Sequence, residues 1–141
     1  MTTGRLTPSH EVLDHASEVQ LRLRAGSLGE LLAEAGRALA TLQLGGTPGS
    51  ATGPWRQIEV SSPDHASLLA DWLNELVFLA ETERWVATEF GIELADGRSV
   101  RARARGVEVE RVPGLVKAAT LHGLRLEDVP GGMEGEVILD V

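Results

Sequence analysis

Four ionisable residues stand out by where they sit. Asp14 and Glu18 bracket the stretch "DHASE" (14–18), Lys117 lies in the apolar run "GLVKAATLH" (114–122), and Asp140 is the next-to-last residue, inside "VILDV" (137–141). Carboxylates gathered at strand ends offer oxygen donors, which suit hard cations such as Mg²⁺, Ca²⁺ or Mn²⁺. A cation would also relieve the mutual repulsion of Asp14, Glu18 and Asp140. His15 lies between the acids and fits a ligand or a salt-bridge role equally well. Lys117 is either an edge-strand lysine that guards against aggregation or a buried cation held among carboxylates. Spacing alone does not separate such a cluster from a structural ion-pair group, nor Asp140 from an ordinary solvated acid.

Other chemistry is thinner. The chain contains no cysteine, so disulfides, thiolate metal sites and cysteine nucleophiles are excluded. Neither glycine-rich phosphate loop pattern occurs, and there is no GxSxG elbow. Arg101, Arg103 and Arg105 share one face of a strand. They read either as a phosphate or partner contact or as a solvated outer face, and the net charge of −8 favours the solvated face. His10 and His65 have no evident partner.

The elements that must position these residues follow from periodicity. "EVLDH" (11–15) is a brief strand, and "EVQLRLRAG" (18–26) alternates Val19, Leu21, Leu23 and Ala25 with polar residues. Residues 27–46 form a helix with a Ser27/Glu30 capping box and a leucine stripe, stopped by Gly45–Gly46. "TPGSATGP" (47–54) is a loop and "WRQIEVSS" (55–62) a strand. Ser62 and Pro63 suit the cap and first position of a second helix, whose stripe is Leu68, Leu69, Trp72, Leu73, Leu76, Val77 and Ala80. A hairpin turning at Asp96–Gly97 spans Trp85 to Gly106, and "VEVERV" (107–112) continues it or pairs with it. Residues 114–128 and 135–141 are the closing strands, with "VPGGMEG" as the loop between them. Two helices on one side of a mainly antiparallel sheet give an α+β fold. A chain of 141 residues suits one domain, 1–141, with residues 1–9 as a flexible lead-in.

With 21 acids against 13 bases, the surface repels phosphate backbones at long range, so broad nucleic-acid binding is not expected. The N-terminal stretch lacks the apolar core of a secretion signal, and no apolar run approaches a membrane span. A soluble cytoplasmic protein without membrane contact is the expectation.

Four segments, in order, resemble the archease family: "HEVLDHASEVQLRLRAG" (10–26), "SLLADWLNELVFLAE" (67–81), "GLVKAATLH" (114–122) and "VILDV" (137–141). The resemblance covers nearly the whole chain. It implies the archease fold and a protein cofactor, not an enzyme, that assists an RtcB-type RNA ligase in tRNA splicing and RNA repair. Such a cofactor promotes the ligase's GTP- and metal-dependent guanylylation and its multiple turnover. The resemblance further implies a bound divalent cation (Ca²⁺, Mg²⁺ or Mn²⁺) near the acidic motif. By position, Asp14, Glu18 and Asp140 would be its ligands, Lys117, Asp140 and Asp14 would serve ligase activation, and His15 and His122 would give polar support. Where the family has threonine and a second aspartate, this chain has Ala16 and Glu18. The tyrosine before His122 is Leu121. Glutamate keeps the charge and lengthens the arm by one methylene. Two alternatives stand beside this reading: a metal-dependent hydrolase or nucleotide-acting enzyme using the same carboxylates, and a general chaperone-like interaction module.

Overall fold

The computed structural model describes residues 4–14, 16–114 and 116–141. Seven strands and two helices follow in the order β1 (Ser9–Asp14), β2 (Glu18–Ala25), α1 (Leu28–Leu44), β3 (Thr52–Ser61), α2 (His65–Glu83), β4 (Trp85–Ala95), β5 (Ser99–Glu108), β6 (Ala118–Val129) and β7 (Gly132–Asp140).

Helix α1 starts as its sequence dictates. The Ser27 hydroxyl accepts from the Glu30 N–H, while the Glu30 carboxylate accepts from Gly26 N–H. Gly45 ends the helix at φ 74°, a left-handed cap that glycine adopts without strain. Helix α2 corrects the expected cap. Asp64, not Ser62, accepts from the Ser67 N–H at 2.8 Å, and the Ser62 hydroxyl turns instead to Asp71. A carboxylate at the N-terminus also meets the positive end of the helix dipole. The backbone and side-chain donors of Ser67 hold the Asp64 carboxyl below its ordinary value.

The strands form two antiparallel sheets, not one: β1-β2-β7-β6 and β3-β5-β4. Alternation along a strand fixes which residues face inward but not which strand lies alongside. Both helices pack against strands of both sheets, α1 chiefly on β4 and β2, α2 chiefly on β6 and β4. The helical pair therefore joins the sheets around one core that includes Leu21, Leu23, Leu32, Leu69, Trp72, Val100 and Leu139. At its centre Trp72 is fully buried, its indole N–H donates to the Leu32 carbonyl at 2.8 Å, and Phe90 meets it edge-on with ring centroids 5.8 Å apart. A buried indole needs that hydrogen bond to avoid an orphaned donor. Gly36 lets α1 approach this pair, since a Cβ there would sit 2.6 Å from the Phe90 ring.

Several boundaries differ from expectation. β3 begins at Thr52, inside the expected loop 47–54, and β1 at Ser9, at the end of the expected flexible lead-in, where the Leu6 N–H already donates to the Gly131 carbonyl. The others concern the closing strands. The expected loop 129–135 is a two-residue turn, Pro130–Gly131, with Val129 paired to Gly132. Proline presets the first central position and Gly131, at φ 86°, takes the second. At the other end, β6 starts at Ala118, so Lys117 precedes the strand and is exposed.

Candidate functional site

All four strands of the larger sheet end together at one edge. Glu18 opens β2 and lies directly opposite Asp140, the last residue of β7. Asp140 is also opposite Ala118, the first residue of β6. The Lys117 N–H donates to the Asp140 carbonyl at 2.8 Å, and the Val141 N–H donates to the Ser17 carbonyl at 3.2 Å. Asp14, the last residue of β1, pairs with Val19. Backbone bonds thus bring three distant segments, 14–18, 117–118 and 140–141, to one sheet end.

The side chains divide between two faces. Directly paired residues share a face, so Glu18 and Asp140 stand together on the outer face. Asp14 takes the register of buried Val19 and so belongs to the helix-facing side. This division explains why, among the described residues, no group of three or more histidines and acids lies close enough to hold a metal. Glu18 and Asp140 are the two carboxylates whose register suits a shared cation. His15 lies outside the described residues. His122 is exposed in β6, at the irregularity between Thr120 and Arg125, and makes no side-chain hydrogen bond among the described residues.

That irregularity is a feature the periodicity did not show. Residues 121–124 break the pairing of β6 with β7, Gly123 adopts φ 68°, and Leu121 stands 68% exposed. The expected continuous alternation through 114–128 is broken because β6 carries extra residues that β7 does not match. Asn74 was also missed. From α2 its amide donates to the Ala119 carbonyl (3.1 Å) and accepts from the Ala119 N–H (2.7 Å). β6 is an edge strand, so Asn74 takes the place of a neighbouring strand just past Lys117. A polar residue inside the apolar "WLNEL" stripe is the sequence signal for such a clamp.

The middle of the same outer face is dense with ion pairs. Arg22 reaches Glu136 at 3.4 Å, Arg24 reaches Glu134 at 2.5 Å, and Arg125 bonds Glu136 at 3.3 Å and Glu127. Partial burial opposes the charge on Arg125, but its three glutamates raise the guanidinium pKa above its ordinary value. Across the sheet, His10 has the partner its sequence did not reveal: Nδ1 lies 2.6 Å from Glu34 of α1, which also accepts from Arg37 at 2.8 Å. Burial pushes the Glu34 carboxyl up, yet His10 and Arg37 together hold it below its ordinary value. His65 approaches the Leu126 carbonyl at 3.3 Å. Asp14, Glu18, Lys117 and Asp140, by contrast, enter no ion pair among the described residues.

The sequence model of the Archease protein family matches residues 10–141. This chain belongs to the Archease protein family. Relatives named protein archease include one from Methanosarcina mazei, 27% identical over 94% of this chain and 95% of its own length. One from Methanopyrus kandleri is 30% identical over 93% of this chain and 98% of its own length. One from Methanothermobacter thermautotrophicus is 35% identical over 61% of this chain and 66% of its own length. The solution structure of Methanobacterium thermoautotrophicum protein 1598 superposes with a TM-score of 0.77 at 28% identity, covering 94% of this chain and 98% of that one. A crystal structure from Thermotoga maritima, described as an archease and possible chaperone, shares the fold at TM-score 0.54 and 20% identity, covering 96% and 97%. The α+β archease fold expected from the motifs is therefore the fold observed, with its strands divided between two sheets. No helix among the described residues is long and apolar enough to cross a membrane.

Proposed function

We propose that this archease is a protein cofactor, not itself an enzyme, that activates an RtcB-type RNA ligase in the cytoplasm by promoting its guanylylation and multiple turnover in tRNA splicing or RNA repair. One observation supports this above the rest. The charged residues of the acidic, lysine and terminal motifs meet at one sheet end with no ion-pair partner within the described residues. Asp14, Lys117 and Asp140 are exposed, which leaves them accessible to a partner. The exposed Leu121, four residues after Lys117 in the irregular stretch of β6, adds apolar surface that a protein partner would cover.

Glu18 and Asp140 are the residues that would hold a divalent cation. Mg²⁺-like ions keep several waters and take only one or two protein carboxylates, leaving positions for phosphate oxygens. Two opposed carboxylates fit that donor set, and a cation here relieves their repulsion. Lys117 supplies a compact positive charge with three donors, placed beside Asp140 by its backbone bond.

The test is RNA joining by a purified ligase of this type with Mn²⁺, GTP and excess cleaved RNA. Added wild-type protein should raise both the guanylylated fraction and the number of turnovers. If neither moves with a ligase from the same source, the cofactor reading fails. If this chain alone converts GTP, the stand-alone enzyme takes its place.

A further inference from the structure

A second site stands apart from the sheet end. A cleft of about 530 Å³ opens between α1, the loop after it and β4, and Arg37, Thr41, Ser50, Thr88, Glu89 and Arg105 provide its polar lining. We propose that this cleft binds a phosphoryl group carried by a nucleotide or by the end of a nucleic-acid strand.

The argument starts from Thr88. Pairing between β4 and β5 slips between Ala87 and Glu89, which leaves Thr88 as the extra residue of a bulge. Bulges re-aim side chains and recur beside functional sites. Thr88 is 8% exposed, and its hydroxyl has no hydrogen-bond partner among the described residues. A buried hydroxyl without a partner is unfavourable unless something else satisfies it. This one is closed to solvent in the free chain, and its residue forms part of the wall of an open cleft, so a ligand reaches it only with a small local adjustment.

Two guanidinium groups from separate elements line the same space with donors to spare. Arg37 uses one Nη on Glu34. Arg105 uses Nε on the Gly53 carbonyl, and its guanidinium lies 5.5 Å from the centroid of the Trp55 ring, which holds it in place. Each guanidinium carries five N–H donors. Two such forks together with hydroxyl donors exceed what the two oxygens of a carboxylate can accept, and they match the oxygens of a phosphoryl group. The volume is within the range of small-molecule sites and larger than one phosphate needs, so the rest of the ligand has room. Arg103 stacks on Trp55 at 4.8 Å, and Arg101 continues the same strand face. Neither enters an ion pair among the described residues. Glu89, directly opposite Arg105 across β4 and β5, is the acidic residue among the described lining residues, and it would repel a bound anion.

Titration calorimetry on the full chain tests this with AMP, adenosine and a short oligonucleotide in 5′-phosphorylated and 5′-hydroxyl forms. Phosphorylated probes should bind and their unphosphorylated counterparts should not. AMP binding more tightly assigns a free nucleotide, and the phosphorylated strand binding more tightly assigns a strand end. Arg105→Ala should weaken binding roughly tenfold and Thr88→Val several-fold, whereas Glu89→Gln should tighten it. Thr88→Val removes an unsatisfied hydroxyl at nearly constant shape, so its melting temperature should not fall. No heat from any phosphorylated probe at millimolar concentration overturns the proposal. So does equal affinity in wild type, Thr88→Val and Arg105→Ala.

Discussion

The outer face of the four-stranded sheet carries charge in two ways. In its middle, opposite charges face each other across strands: Arg22 opposes Glu136, Arg24 opposes Glu134, and Arg125 opposes Glu136. At its end, like charges do: Glu18 opposes Asp140. Opposite-charge cross-strand pairs stabilise a sheet, and like charges directly opposite destabilise it. The middle is thus arranged for stability, while the end departs from the same rule a few residues away. Unfavourable local choices are tolerated where they serve another purpose, and under the proposed function that purpose would be contact with a cation or a partner.

The difference can be broken or sharpened by substitution. The largest expected effect is on cation binding. Asp140→Asn should weaken Mn²⁺ binding by roughly tenfold or more, as loss of one charged contact implies, read by titration calorimetry. Unchanged affinity would separate the carboxylate pair from any metal role. In the middle of the sheet, Arg125→Ala leaves Glu127, Glu134 and Glu136 short of a partner. It should lower stability by about 1 kcal/mol, a value kept small because the pairs are partly exposed, and it should leave cation binding alone. Glu34, paired to His10 and Arg37, gives a pH signature. Its lowered carboxyl value means that its contribution is complete above the ordinary value of 4.5 and is lost as pH falls through the folded-state value. Acid unfolding should therefore steepen below about pH 4.5, and Glu34→Gln should flatten that limb. The smallest effect has the opposite sign. Glu18→Gln should raise stability by a few tenths of a kcal/mol, since it relieves the repulsion from Asp140, visible as a small rise in melting temperature in metal-free buffer.

Local elements were legible because they rest on local physics. The Ser27 cap, the Gly45 stop, the leucine stripes and the alternation of β2 all announce themselves within a few residues. The turn at Asp96–Gly97 did as well, and the Asp96 carboxylate, lowered by its bonds to the Arg98 and Ser99 N–H groups, is what holds it. Long-range pairing was not legible. The division into two sheets depends on β3 choosing β5 and β7 choosing both β2 and β6, choices that hydrophobic alternation leaves open. "VPGG" has the composition of a loop and of a tight turn alike. Of the site, the motif residues could be named, and their convergence on one sheet end follows the resemblance. What could not be read was the face each occupies: one register step puts Asp14 with Val19, away from the Glu18–Asp140 pair. The His10–Glu34 contact and the Asn74 clamp span 24 and 45 residues of sequence, so no local pattern reveals them.

The most direct test of the central claim compares the two regions in one assay: guanylylation of an RtcB-type ligase by GTP and Mn²⁺ in the presence of wild type, Lys117→Ala or Arg125→Ala. Lys117→Ala should lose most of the stimulation while keeping its melting temperature, and Arg125→Ala should keep the stimulation while melting lower. Full stimulation by a folded Lys117→Ala protein would contradict the assignment of the unpaired sheet end as the ligase-facing site.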